Sequence, residues 1–269
     1  MNRRNFAGLV ASAVAASELV AEAGPIQAPR TEGEDKFPAM HGGKRPVVGM
    51  LLYPGMTLLD LLGPQTVLST SAEIHLIWKS RDWVVSDSGV VLKPDTTLDE
   101  CPKDLDVLFV GGGPGQIAIM NDPEIIGFVA DRGSRAKYVT SVCSGSLVLG
   151  AAGLLKGYKA TSHWACRDAL AMFGAIPIDA RVVTDRNRVS GGGVTAGIDF
   201  GLVLLARLCG EDVAKMTQLA IEYNPEPPFG AGSPKGAGPE VTKKVLGWME
   251  PFSRKMANAC ERASKALIK

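Results

Sequence analysis

The sequence predicts an α/β fold, a three-layer sandwich around a mostly parallel sheet. Two observations carry that expectation. Short apolar, β-rich runs alternate with helix-patterned stretches of about ten residues, the signature of βαβ units. Two of the β-rich runs also lead straight into clusters of very small residues, Gly111–Gly115 and Cys143–Ser146, as strand-to-loop junctions at a sheet edge do.

The elements follow in order. Val47–Leu52 is a short apolar run stopped by Tyr53-Pro54-Gly55, a strand and a turn. Thr57–Thr70 has apolar residues at helical spacing. Glu73–Lys79 alternates polar and apolar residues and reads as a strand, and Val84–Leu92 holds one or two short strands. Asp106–Val110 is a buried strand running into the glycines. Pro123–Arg132 reads as a helix, Lys137–Val142 as a strand and Ser144–Ala152 as the helix after it. Tyr158–Thr161 is extended and Trp164–Phe173 helical. Arg181–Asp185 and Arg188–Ser190 form a hairpin around Arg186-Asn187. Thr195–Cys209 and Asp212–Glu222 are helices. After a Pro/Gly-rich stretch, Glu240–Lys269 is helical, interrupted by Pro251. Its stripe of Val245, Trp248, Met249, Phe252 and Met256 is expected to pack on its own domain, with a partner chain as the alternative.

The 269 residues carry a formal charge of +1, and 46% of them are hydrophobic. A sizeable core can be buried. Nothing in the charge calls for nucleic acid or an anionic membrane as partner. The five cysteines form no CxxC pair, and the three histidines form no zinc-spaced cluster with them. A disulfide framework and a metal site are therefore not expected.

The N-terminus differs in kind. Arg3-Arg4 precede an alanine-rich apolar stretch that ends in Ala21-Glu22-Ala23, the pattern of a twin-arginine-type signal peptide over residues 1–23. An amphipathic helix is the alternative. Residues 24–45 are polar, rich in Gly and Pro, and read as a linker. The main folded domain is expected over 46–230 and a Pro/Gly segment with a C-terminal helix over 231–269. The expected location is periplasmic or exported, with no membrane attachment after cleavage.

Five places could carry chemistry. Cys143 follows KYVTSV and precedes an apolar helical face, with Cys-Ser-Gly-Ser between. Small residues allow the sharp turn of a nucleophile elbow, and a helix amino end favours a thiolate. The alternative is a buried, inert cysteine. Gly111–Gly115 follows a strand that can lie beside the one leading to Cys143, so its amides could hold developing negative charge; a tight turn is the plainer reading. Asp60 stands among four leucines within 55–64, yet Thr57-x-x-Asp60 also has the spacing of a capping box. If buried beside a thiol, that acid would hold its proton to higher pH. His163, twenty residues after Cys143, could reach the same edge; a histidine that caps a helix or bonds a carbonyl explains it equally. The glycine-rich turn 191–199 reads as a pocket wall.

Together these stretches resemble the ThiJ/PfpI superfamily of the class I glutamine amidotransferase-like fold, nearer to its isocyanide hydratase branch. The matching pieces are LLYPGMTLLDLLGP, IWKSRDWVVSDSG, VGGGPGQ, YVTSVCSGSLVLGAAGLLKGYKATSHWA, DRNRVSGGGVTAGIDFG and IEYNPEPPF, in order over about residues 47–230. The resemblance implies that Cys143 is the nucleophile and Asp60 its acidic neighbour. It implies that Ser144 stands where the branch usually has Thr, that Gly113 faces the site through its backbone, and that Val194 meets the cysteine through its backbone. It further implies a homodimer with no cofactor and no metal, acting on a small molecule. Leu58, where the branch often has Gln, and the long C-terminal helix are departures that bear on the substrate.

The implied reaction is hydration of an isocyanide to an N-substituted formamide through a covalent thioimidate. Rival readings are a PfpI-type peptidase, weakened by Ser144 where that branch has His, and a glyoxalase, deglycase or thiol sensor, for which Glu is expected at position 60. An AraC-type regulator needs a C-terminal DNA-binding module of about 100 residues, whereas 39 residues follow Gly230.

Overall fold

The computed structural model describes residues 40–267. The signal-peptide reading and residues 24–39 of the linker lie outside them. The elements are β1 (Val47–Leu51), α1 (Leu58–Leu68), β2 (Glu73–Trp78), β3 (Val84–Val85), β4 (Val91–Leu92), β5 (Thr96–Thr97) and β6 (Val107–Val110). Next come α2 (Gln116–Ile119), α3 (Pro123–Arg135), β7 (Tyr138–Val142), α4 (Gly145–Ala151), β8 (Lys159–Ala160), a 3-10 helix (Arg167–Phe173) and β9 (Ile176–Pro177). The chain ends in β10 (Val182–Asp185), β11 (Arg188–Gly191), α5 (Ala196–Cys209), α6 (Glu211–Ala220) and α7 (Pro234–Leu267).

Seven strands form the main sheet in the order β10-β11-β7-β6-β1-β2-β5. Every pairing is parallel except the β10–β11 hairpin at one edge. β6 and β7 are neighbours, with Val110 opposite Ser141, so the glycine run and Cys143 leave the sheet side by side. The central strands β6 and β7 are buried apart from Tyr138 at the start of β7, and β6 reads Val-Leu-Phe-Val, as strands covered on both faces do. α1, α5 and α6 pack as one group of helices; α3, α4, the 3-10 helix and α7 form another. α3 shows how local sequence sets an element. Asp122 accepts from the amides of Glu124 (3.1 Å) and Ile125 (3.4 Å), Pro123 occupies the first turn, and Arg132 and Arg135 stand in the last.

Three expectations are revised. The Trp164–Phe173 stretch forms a 3-10 helix only from Arg167, closed by Gly174 in the left-handed region. The C-terminal helix runs through Pro251, forgoing one amide bond there. Its non-helical point is Gly238, φ 75°, directly before Pro239, because a proline disfavours the helical conformation in the residue it follows. Finally, residues 40–45 lie against the domain. The amide of Met40 donates to Thr70 O (3.4 Å), the His41 ring bonds Ser71 O (3.0 Å), and Met40 Sδ accepts from Thr217 Oγ1 (3.3 Å).

α7 shares the domain's core: Met256, Ala259, Cys260 and Ala263 are buried in the same apolar cluster as the sheet. Among the described residues all five cysteines are free, and no helix is long and apolar enough to cross a membrane.

Candidate active site

The site is assembled at the carboxyl ends of β1, β6 and β7, where open parallel sheets bind ligands. Cys143 is the first residue beyond β7 and has φ 58°, a left-handed conformation that costs a side-chain-bearing residue energy. Four hydrogen bonds hold it there. Its amide donates to Gly191 O (3.1 Å) and Gly192 O (2.9 Å). Its carbonyl accepts from Ser146 Oγ (3.2 Å) and Ser162 Oγ (3.0 Å). The elbow also needs a close approach behind it: a Cβ at Gly145 would lie 2.2 Å from Val110 O. This is the sharp strand-to-helix turn expected at Cys143-Ser-Gly-Ser.

Asp60 lies in the first turn of α1 and is fully buried. The capping box does not form. Thr57, the N-cap residue, makes no side-chain cap, and the carboxylate of Asp87 serves the helix start instead. Asp87 accepts from Thr57 Oγ1 (2.8 Å) and from the amide of Leu58 (3.2 Å). Asp60 is thereby free to turn inward. Its Oδ2 accepts from the Gly112 amide at 2.9 Å, its Oδ1 is buried without a hydrogen-bond partner, and the Cys143 thiol is close enough for each group to act on the other's proton affinity. Burial pushes the Asp60 carboxyl up to about 7; the Gly112 amide and the thiol pull the other way, and the charge of Asp87 adds to the rise.

The same burial, with Asp60 and Cys166 nearby, raises the Cys143 thiol well above its ordinary range, although the Ser144 amide opposes it. These surroundings favour the neutral thiol, against the pull of the helix amino end. Desolvation and a neighbouring acid outweigh the few amides of a seven-residue helix. Tyr53, whose hydroxyl donates to Gly111 O (2.8 Å), is raised in turn by burial, Asp60 and Cys143.

The glycine run supports the pair rather than forming an open anion hole. The Gly112 amide is spent on Asp60, and the Gly113 amide on Ser144 Oγ at 3.3 Å. A Cβ at Gly112 would stand 2.5 Å from that hydroxyl, so only glycine fits between Asp60 and Ser144.

Cys143, Ser144, Gly113, His163 and Val194 all line one cavity of about 730 Å³, and Asp60 sits immediately behind Cys143. His163 is a wall rather than a partner of the thiol. Its Nδ1 accepts from the Ala165 amide (3.3 Å), its ring lies against Trp164, and burial lowers its proton affinity. Opposite stand Val245, Trp248, Met249, Phe252 and Met256 of α7. The apolar stripe thus faces a cavity, with Trp248 still 82% exposed at its rim. Among the described residues no group of His, Cys, Asp and Glu is arranged to hold a metal ion.

A profile of the DJ-1/PfpI family matches residues 47–207, from β1 into α5. The chain belongs to the DJ-1/PfpI family. It is 46% identical over 222 residues to isonitrile hydratase of Pseudomonas putida, covering 82% of this chain and 97% of that one. The crystal structure of a ThiJ/PfpI family protein from Pseudomonas syringae superposes with a TM-score of 0.79 at 48% identity, covering 91% of this chain and 99% of that one. The HTH-type transcriptional regulator GbdR of Pseudomonas aeruginosa is 29% identical over 177 residues, covering 62% of this chain and 48% of the regulator. In this DJ-1/PfpI protein α7 lies beyond the matched segment, so that wall of the cavity is not part of the family-wide match.

Sequence reasoning missed two side chains of this DJ-1/PfpI site. Asp87 lies in Ser86-Asp87-Ser88-Gly89, a turn signature that gives no hint of the helix it serves. Cys166, three residues after His163, lines the cavity beside Cys143; burial pushes its thiol up to about 11. A lone cysteine in a short irregular helix carries no readable signal.

Proposed function

We propose that this protein hydrates isocyanides to N-substituted formamides, with Cys143 as nucleophile and Asp60 as proton relay. One observation carries the reading: a buried carboxyl, raised to about 7 and with one oxygen left unpartnered, lies next to a thiol at the foot of an apolar-walled cavity. The 46% identity to isonitrile hydratase supports it.

The chemistry follows from that pairing of acid and thiol. The thiol gives its proton to Asp60 as sulfur attacks the terminal isocyanide carbon, and Asp60 returns the proton to that carbon. The product is a thioimidate. Asp60, again ionised, takes a proton from a water attacking the same carbon and relays it to nitrogen. The resulting hydroxyl proton passes to sulfur as the C–S bond breaks, releasing the formamide and restoring the thiol. Ser144 holds the Gly113 amide and so fixes the loop over the pair. The apolar wall of α7 receives the nitrogen substituent.

The test is incubation of the purified protein with p-nitrophenyl or cyclohexyl isocyanide, following the formamide. Turnover no greater than that of Cys143→Ala refutes the reading. We further propose export as a cleaved protein beginning at Gly24 and assembly as a homodimer. Mass spectrometry of the mature N-terminus and light scattering on the purified protein check these.

A further inference from the structure

We propose that Asp87 is a positioning residue for Asp60: its carboxylate fixes the turn that carries Asp60 over Cys143, and its negative charge opposes a second negative charge there. The proposal rests on the reading of Asp60 and Cys143 as the reacting pair.

The geometry is a closed circuit. Asp87 sits in the turn between β3 and β4, and that turn is stitched to the loop before α1. The Gly55 amide donates to Val85 O (2.8 Å) and the Asp87 amide to Met56 O (2.9 Å). The Asp87 carboxylate then takes both the hydroxyl of Thr57 and the amide of Leu58. Thr57 in turn donates its own amide to Gly112 O (2.9 Å), and Gly112 donates to Asp60 Oδ2 (2.9 Å). Asp87 therefore sets where α1 begins, and Asp60 lies only three residues past Thr57. A shift of that turn would move the carboxyl relative to the thiol, and small displacements at a reacting pair cost rate steeply.

The charge matters as well. The titratable groups that act on or feel Asp60 are Cys143, Tyr53, Cys166 and Asp87. None is a cation. On the packed helix α5, Asp199 is engaged by Arg181 and Tyr223 instead. Among the described residues, Asp87 is the carboxylate whose charge bears on Asp60, and it makes Asp60 a better acceptor for the thiol's proton.

The experiment uses Asp87→Asn in the full chain, which keeps an acceptor oxygen and removes the charge. Alkylation of Cys143 by iodoacetamide is followed by mass spectrometry against pH, beside kcat and KM with cyclohexyl isocyanide. The alkylation limb near pH 7 should move to lower pH, and kcat should fall about tenfold, more than KM changes. Asp87→Glu, which restores the charge, should return the limb toward the parent. If Asp87→Asn does not fold, Asp87→Ser, also an acceptor, is read in the same way. Superposable alkylation profiles overturn the proposal. A shifted alkylation limb in a protein that hydrates no isocyanide leaves the proposal standing and removes only the hydratase reading.

Discussion

Gly112 donates its amide to Asp60 at 2.9 Å while its α-carbon fills the gap beside Ser144. The chain thus brings residues 52 positions apart into one contact where no side chain can stand. Gly112→Ala would place a methyl group 2.5 Å from Ser144 Oγ and 2.6 Å from its amide nitrogen. Displacing both groups should lower kcat/KM about 100-fold and destabilise the fold by about 1–3 kcal/mol. Steady-state kinetics and a urea titration check the two effects.

Cys143 holds a left-handed backbone that a side chain resists. Cys143→Gly and Cys143→Ala should both abolish turnover. The glycine variant should be the more stable of the two by about 1 kcal/mol. Denaturant melts of the pair decide this, and an equally stable alanine variant would show that the elbow is unstrained.

Asp60 titrates at about 7 in the folded protein against 3.8 as its ordinary value. A group whose proton affinity rises on folding contributes stability below its unfolded value and loses it as pH rises through the folded one. The parent should therefore lose stability from about pH 4 to above pH 7. Asp60→Asn should flatten that loss, so that the variant's stability relative to the parent improves by up to about 4 kcal/mol between pH 4 and pH 8. Melting temperatures of both proteins across that range measure it.

Catalysis should follow the same proton with its own sign. The pair reacts when it holds one proton, so activity should rise as pH increases through about 7 and remain high until the raised thiol loses its proton far above the ordinary thiol range. A kcat/KM profile that falls through pH 7 would contradict the relay.

Trp248 and Phe252 face the cavity from α7. Trp248→Ala and Phe252→Ala should each lower the ratio of kcat/KM for cyclohexyl over methyl isocyanide about tenfold, mainly through KM, as loss of apolar contact to a ring predicts. An unchanged ratio would mean that the substituent lies elsewhere.

The sheet and the elbow were legible because both rest on local pattern: β-branched runs such as YVTSV, then residues too small to continue them. The neighbouring positions of the Gly111 and Cys143 junctions followed from the same logic. The role of Asp60 was not decidable locally, since Thr57-x-x-Asp60 satisfies a capping rule. What frees Asp60 is Asp87, thirty residues from Thr57 and invisible to any helical window. The thiol's surroundings were not legible for a related reason. A helix amino end can be read from sequence, but burial beside a second acid depends on tertiary packing. The stripe at 245–256 was legible as apolar and helical, yet no periodicity says whether such a face meets a core or a cavity.

The order of synthesis gives α7 a further consequence. Residues 53–144, which hold the acid, the glycines and the thiol, leave the ribosome well before residues 245–257 that wall the cavity. Until that last helix docks, the cavity beside Cys143 lacks the apolar wall formed by Val245, Trp248, Met249 and Phe252. Seating Met256 and Cys260 in the core anchors that wall. The pocket is therefore completed last, by the final segment of the chain to be made.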